Sequence, residues 1–138
     1  MALLVVNQGE GIMLENILNK TAPQSMVLCL YQNDWTPADG DDEGDATEAD
    51  FTGYSNVACA PGDWTVTPGA PSEAVCTQKT FTSTANQTTQ NIYGYYVKQT
   101  TSGKLMWAER FTDGPYPITN NGDAIKVTPK LQLRKSGE

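Results

Sequence analysis

The sequence predicts an all-β fold, a β-sandwich or jelly roll with one short N-terminal amphipathic helix, and three observations carry that expectation. Aromatic and β-branched residues gather in short runs, the bulkiest being Ile92-Tyr93-Gly94-Tyr95-Tyr96-Val97 and Leu105-Met106-Trp107-Ala108-Glu109-Arg110-Phe111. Such side chains favour a pleated, partly buried surface. Turn chemistry separates the runs, most clearly at Pro61-Gly62-Asp63, Pro68-Gly69-Ala70-Pro71, Asp113-Gly114-Pro115 and Asn120-Asn121-Gly122-Asp123. Only Ile12, Met13, Leu14, Ile17 and Leu18 show helical spacing. At 138 residues the chain, 1–138, reads as a single β-rich domain, and a domain of that size buries roughly 68–70% of its unfolded surface without covalent staples.

Taken in order, residues 1–22 read as a strand and helix arm. Asn7 or Gln8 begins the helical turn, Glu10 and Glu15 flank the apolar stripe, and the approach to Pro23 ends it. Residues 26–31 form a strand apolar enough for the core. The character then changes. Trp35 and Pro37 lead into Asp39, Asp41, Asp42, Glu43, Asp45, Glu48 and Asp50, so 33–50 is an acidic loop insertion, expected to be mobile unless a cation or partner holds it. Strands follow at 51–54, 56–60, 64–67, 74–82, 90–99, 104–112 and 124–134. Within the hairpin 90–99/104–112, alternation puts Tyr93, Tyr95 and Val97 on one face and Ile92, Gly94 and Tyr96 on the other. Both faces are bulky, so this hairpin is either central and covered on both sides or covered in part by another subunit. In the last strand Ile125, Val127, Leu131 and Leu133 share a parity, and Pro129 among them suggests an edge or a bulge.

Several function classes lose support from composition. A net charge of −7 repels phosphate backbones, and Lys126, Lys130, Arg134 and Lys135 are too dispersed to form a basic patch; no nucleic-acid partner is expected. No apolar run reaches the roughly 18–20 residues that span a bilayer, and the apolar start is too short for a signal peptide. No membrane partner is expected either. Histidine is absent, which removes the commonest general base and metal ligand. Three cysteines, Cys29, Cys59 and Cys76, are odd in number and widely spaced, and Cys29 and Cys76, among alternating apolar residues, read as small buried hydrophobes in a reducing compartment. No cofactor is expected.

Three chemical hypotheses remain. Asp39, Asp41, Glu43, Gly44 and Asp50 fall at spacings reminiscent of a calcium-binding hand, but the fifth and twelfth positions depart from it and no amphipathic helices flank the loop, so a solvated acidic loop is the better reading and no metal site is assigned. Glu109, on the apolar parity of its strand, could act as a general acid with Asp113 or Asp123 as a second carboxylate; a strand-end Glu paired with an arginine or a tyrosine hydroxyl is the stronger reading. Trp35, Trp64, Trp107 and the tyrosines could build a sugar-stacking platform, or serve as core and interface. The second is favoured because they sit within strand patterns. No catalytic residues are assigned.

Residues 28–34 with Thr36-Pro37, Phe51-Thr52-Gly53-Tyr54, Phe81-Thr82, Tyr93-Gly94-Tyr95-Tyr96-Val97, 105–111 and 122–129 resemble a group of small tailed-bacteriophage virion structural proteins, of cement, decoration or fibre type. The resemblance covers almost the whole chain and its motifs are structural. It implies a non-enzymatic capsid cement or decoration protein on the virion surface, made in the host cytoplasm, that forms a homo-oligomer, a dimer or trimer, and bridges subunits of the major capsid protein. The alternative is a tail or fibre component that binds a host-surface glycan. Partner contacts are expected from Leu3, Leu4, Ile12, Leu14 and Ile17 in the arm and from Tyr93, Tyr95, Tyr96 and Trp107 in the hairpin.

Overall fold

The computed structural model describes residues 3–134; Met1 and Ala2 of the expected arm, and Lys135 of the dispersed basic series, lie outside them. The fold is all-β and sandwich-like, with one helix near its N-terminus. A five-stranded antiparallel sheet runs in the order β1 (Leu4–Val5), β9 (Leu105–Arg110), β8 (Gly94–Gln99), β2 (Met26–Tyr31), β3 (Val57–Cys59). Three smaller antiparallel sheets accompany it: β12 (Lys130–Leu133) with β5 (Ser72–Cys76) and β4 (Trp64–Thr67), β11 (Ala124–Val127) with β6 (Lys79–Thr82), and β10 (Tyr116–Ile118) with β7 (Gln90–Ile92). The helix α1 is Asn7–Ile17.

Alternation in the central strands divides the core. Leu28, Leu30, Tyr95, Val97 and Trp107 point towards the smaller sheets and pack with Phe51, Phe81, Ile92, Ile118, Ile125 and Val127. Cys29, Tyr31, Tyr96 and Ala108 point the other way, against Val6, Trp35 and Leu105. Each fully buried large apolar side chain contributes roughly 1.5–3 kcal/mol. The two-faced hairpin is therefore central, and both of its covers come from this chain.

The differences from the expected strands have local causes. Run 90–99 is two strands, because Tyr93 breaks the alternation: Ile92 packs with Tyr95 in one core, and Tyr93 with Tyr96 in the other. Tyr93 thus shares a face with Tyr96, not Tyr95. Gly94 is required at this step, since a Cβ there would overlap the Tyr31 ring and the Glu109 carbonyl. Run 74–82 breaks at Thr77-Gln78 and run 124–134 at Thr128-Pro129, so one long ladder bends into two sheets, with the Cys76 N–H donating to the Pro129 carbonyl at 2.9 Å across the bend. Residues 51–54 form a turn rather than a strand: the Tyr54 N–H donates to the Phe51 carbonyl at 2.8 Å, and Gly53 supplies the φ of 92°. Strand β10 went unanticipated because prolines at 115 and 117 obscure it.

Candidate interaction surface

Helix α1 is held by its first turn. The Asn7 N–H donates to the Asp39 carbonyl at 2.8 Å, and the Gln8 side-chain oxygen accepts the Leu105 N–H at 2.9 Å. Gly9, the helix's buried residue, lies where any Cβ would overlap the Met106 carbonyl. The backbone approach is what lets α1 dock on β9. Ile12 and Met13 pack against the core from the next turn. Beyond them the helix runs off its support and stops at Leu18, followed by Asn19 with a left-handed φ of 56°.

That geometry leaves apolar side chains in water. Leu14, Ile17 and Leu18 at the helix end, Leu133 on β12 and Val66 on β4 are 60–76% exposed. Two shallow grooves run among four of them, Leu14, Ile17, Leu133 and Val66. One, of about 490 Å³, is lined by Glu10, Met13, Leu14, Ile17, Leu131 and Leu133; the other, of about 280 Å³, runs past Met13, Met26, Trp64, Val66, Met106 and Leu131. Trp64 meets Trp107 edge-on at 6.1 Å beneath the second groove, and neither indole N–H reaches an acceptor among the described residues. Because β12 and β4 are the two edges of their sheet, backbone as well as apolar side chains is open here.

The residues expected to contact partners divide sharply. Leu14 and Ile17 are exposed on this surface. Leu3, Leu4 and Ile12 are half-buried against the chain's own core, and β1 pairs with β9 through Leu4 opposite Ala108 and Val5 opposite Trp107. The arm is thus a sheet edge and an anchored helix. Tyr95, Tyr96 and Trp107 are corrected to core residues, each under 5% exposed, because the small sheets cover one face of the hairpin and loop 33–50 the other. Tyr93 is half-buried, with the Arg110 guanidinium 5.2 Å above its ring. Sequence reasoning missed Leu18, Val66 and Leu133; Leu133 carried the core parity of its strand and gave no sign of its exposure.

The acidic loop is not the mobile insertion its composition suggested. Trp35 is buried edge-on to Tyr31 at 5.0 Å, and its indole N–H donates to Asp41 Oδ2 at 2.8 Å. The same carboxylate oxygen accepts the Ala38 N–H. Asp42 accepts the Gly44 N–H at 2.7 Å and Asp45 the Asp42 N–H at 2.9 Å. The Asn33 amide donates to the Asp45 carbonyl and accepts the Thr47 N–H, each at 2.8 Å. Arg110 fastens the entry, donating to the Trp35 carbonyl at 3.0 Å and pairing with Asp34 at 2.6 Å. The carboxylates of Asp41, Asp42 and Asp45, turned onto backbone N–H groups, brace this loop from within. Among the described residues, no three His, Cys, Asp or Glu side chains are grouped to hold a metal ion.

Glu109 accepts the Tyr95 hydroxyl at 2.8 Å, the partnership expected of a structural carboxylate. The carboxylates considered beside it are occupied in turns. Asp123 accepts the Thr119 and Asn120 N–H groups at 2.9 and 2.8 Å, and those bonds hold its carboxyl below the usual range. Asp113 accepts the Tyr116 hydroxyl, with the same effect on its carboxyl. Of the aromatics of the sugar-platform reading, Trp35, Trp107, Tyr95 and Tyr96 are buried, and Trp64, Tyr54, Tyr93 and Tyr116 are half-buried. Among the described residues, no helix is long and apolar enough to cross a membrane. No protein-family model matches the chain, and no curated protein does.

Proposed function

We propose that this protein works by assembly: a non-enzymatic virion structural subunit of a tailed phage, of capsid cement or decoration type, that oligomerises and bridges neighbouring subunits of the major capsid protein. The observation that carries the reading is the exposed apolar surface of Leu14, Ile17, Leu18, Val66 and Leu133 on two open sheet edges and a projecting helix end. A monomer in water gains nothing from such a surface. Its occupant is a second copy of the chain: the strip has one apolar wall on α1, Leu14 and Ile17, and another on β12, Leu131 and Leu133, so the surface is self-complementary. A two-fold contact laying each helix on the other copy's β12 covers the apolar strip of both copies at once. The oligomer then offers several copies of its remaining surface to a repeating lattice, where weak contacts multiply by avidity.

The test is the copy number of the protein in purified particles, measured by quantitative mass spectrometry against the major capsid protein. A near-stoichiometric ratio is expected. A ratio far below it would move the protein to the tail, neck or fibres, and its absence from particles would overturn the assignment.

A further inference from the structure

The three cysteines are not equivalent. Cys29 lies in the core beneath the acidic loop, with Tyr96 and Glu48 as its neighbours. Cys59 and Cys76 lie in the opposite core, each 2% exposed, and their thiols are within hydrogen-bonding reach of one another. They come from different sheets. Cys59 ends β3, opposite Met26 at the edge of the five-stranded sheet, and Cys76 ends β5, opposite Trp64 in the three-stranded sheet. The chain around them is fixed: the Asp63 N–H donates to the Ala60 carbonyl at 2.9 Å, the Thr77 N–H to the Asp63 carbonyl at 2.9 Å, and Lys79 Nζ pairs with Asp63 at 2.8 Å. These bonds hold the segments after Cys59 and Cys76 side by side.

We propose that Cys59 and Cys76 are a disulfide-forming pair, a modification site that ties the two layers of the sandwich together, with Cys29 left as the free thiol. The oxidant is a small-molecule disulfide such as oxidised glutathione. The thiolate of one cysteine attacks it, forming a mixed disulfide and releasing one glutathione thiol. The second cysteine then attacks the protein sulfur of that mixed disulfide, releasing the second glutathione. The protein loses two thiol protons and two electrons, and the oxidant leaves as two reduced thiols. The two thiols are neighbours in one core, and the link needs them to close to a bond of about 2.05 Å.

Burial times the reaction. Desolvation, with the neighbouring Cys76, pushes the Cys59 thiol up to about 12, and thiols rather than thiolates do not exchange. The folded, reduced protein therefore resists oxidation, and the bond closes during folding or when β3 peels from the sheet edge. A subunit that folds reduced and is later exposed to an oxidising medium would acquire the staple only where it opens.

The experiment refolds the full chain with oxidised and reduced glutathione, or with excess reductant alone. Thiols are counted in denaturant, and linked peptides are mapped by mass spectrometry. One free thiol, at Cys29, is expected after oxidative refolding, against three in reductant, with a Tm higher by on the order of 10 °C for a closed loop of this size. Cys29→Ala keeps the bridge and leaves no free thiol. Three free thiols after oxidative refolding, a bridge that includes Cys29, or a bridge that leaves Tm unchanged would each overturn the proposal.

Discussion

Loop 33–50 and helix α1 are the two segments whose composition misleads in opposite directions. The loop carries Asp39, Asp41, Asp42, Glu43, Asp45, Glu48 and Asp50, yet it is folded down over the sheet and drives Trp35 into the core beside Tyr31. The helix carries an apolar stripe, yet only its first two turns reach the core, and Leu14, Ile17 and Leu18 stand in solvent. Charge is cheap to order when carboxylates such as Asp41, Asp42 and Asp45 have backbone N–H groups to accept, whereas an apolar side chain has no such local remedy. The segment expected to be mobile is a structural cover, and the segment expected to contact partners is anchored by its first half and leaves Leu14 and Ile17 exposed.

The comparison can be broken most forcefully at Trp35. If the loop is a true cover, Trp35→Ala removes its buried anchor, and stability falls by about 3–5 kcal/mol, as for other buried aromatics. Chemical denaturation would show this as a lower midpoint. A loss under about 1 kcal/mol, the scale of ordinary surface changes, would mean that the loop merely rests on the sheet.

A smaller effect separates the two regions by pH. Burial under the loop pushes the Cys29 thiol up to about 12 from 9.0 and raises the Tyr31 and Tyr96 hydroxyls as well. In the unfolded chain these groups give up protons from about pH 9 upward, while the folded chain keeps them. Stability is therefore full below pH 9 and falls as pH rises through 9 to 12. Thermal melts across that window should show the fall, and Trp35→Ala, by uncovering these groups, should flatten it. Substitutions at Leu14 and Ile17 should leave the pH profile as it is. Equal slopes in all three proteins would remove the loop's covering role.

Much of the architecture was legible in the sequence because strands declare themselves locally. Run 64–67 is β4 and run 26–31 is β2, residue for residue, since turn residues bound them on both sides. What local pattern could not reveal was where a ladder bends. Pro129 signalled an interruption, but that β11 and β12 belong to different sheets depends on their partners β6 and β5. Tyr93 shows the same limit, because a single irregular residue moved it to the face of Tyr96. The candidate surface was legible by halves: Leu14 and Ile17 followed from an amphipathic stripe too long for its contact, whereas Tyr95, Tyr96 and Trp107 were bulky for the ordinary reason that both faces of their hairpin are core. Val66 and Leu133 required knowing which strands are edges.

The central claim is that the α1–β12 surface joins copies of this chain, and sedimentation velocity over a range of concentrations tests it most directly, comparing the wild type with Leu14→Glu/Ile17→Glu. Both positions are exposed, so the double variant should fold with a stability change within about 0.5 kcal/mol per site. The account predicts a wild type that shifts to a larger species as concentration rises and a folded variant that stays a monomer. A wild type that remains monomeric throughout, or a variant that associates as the wild type does, would contradict it.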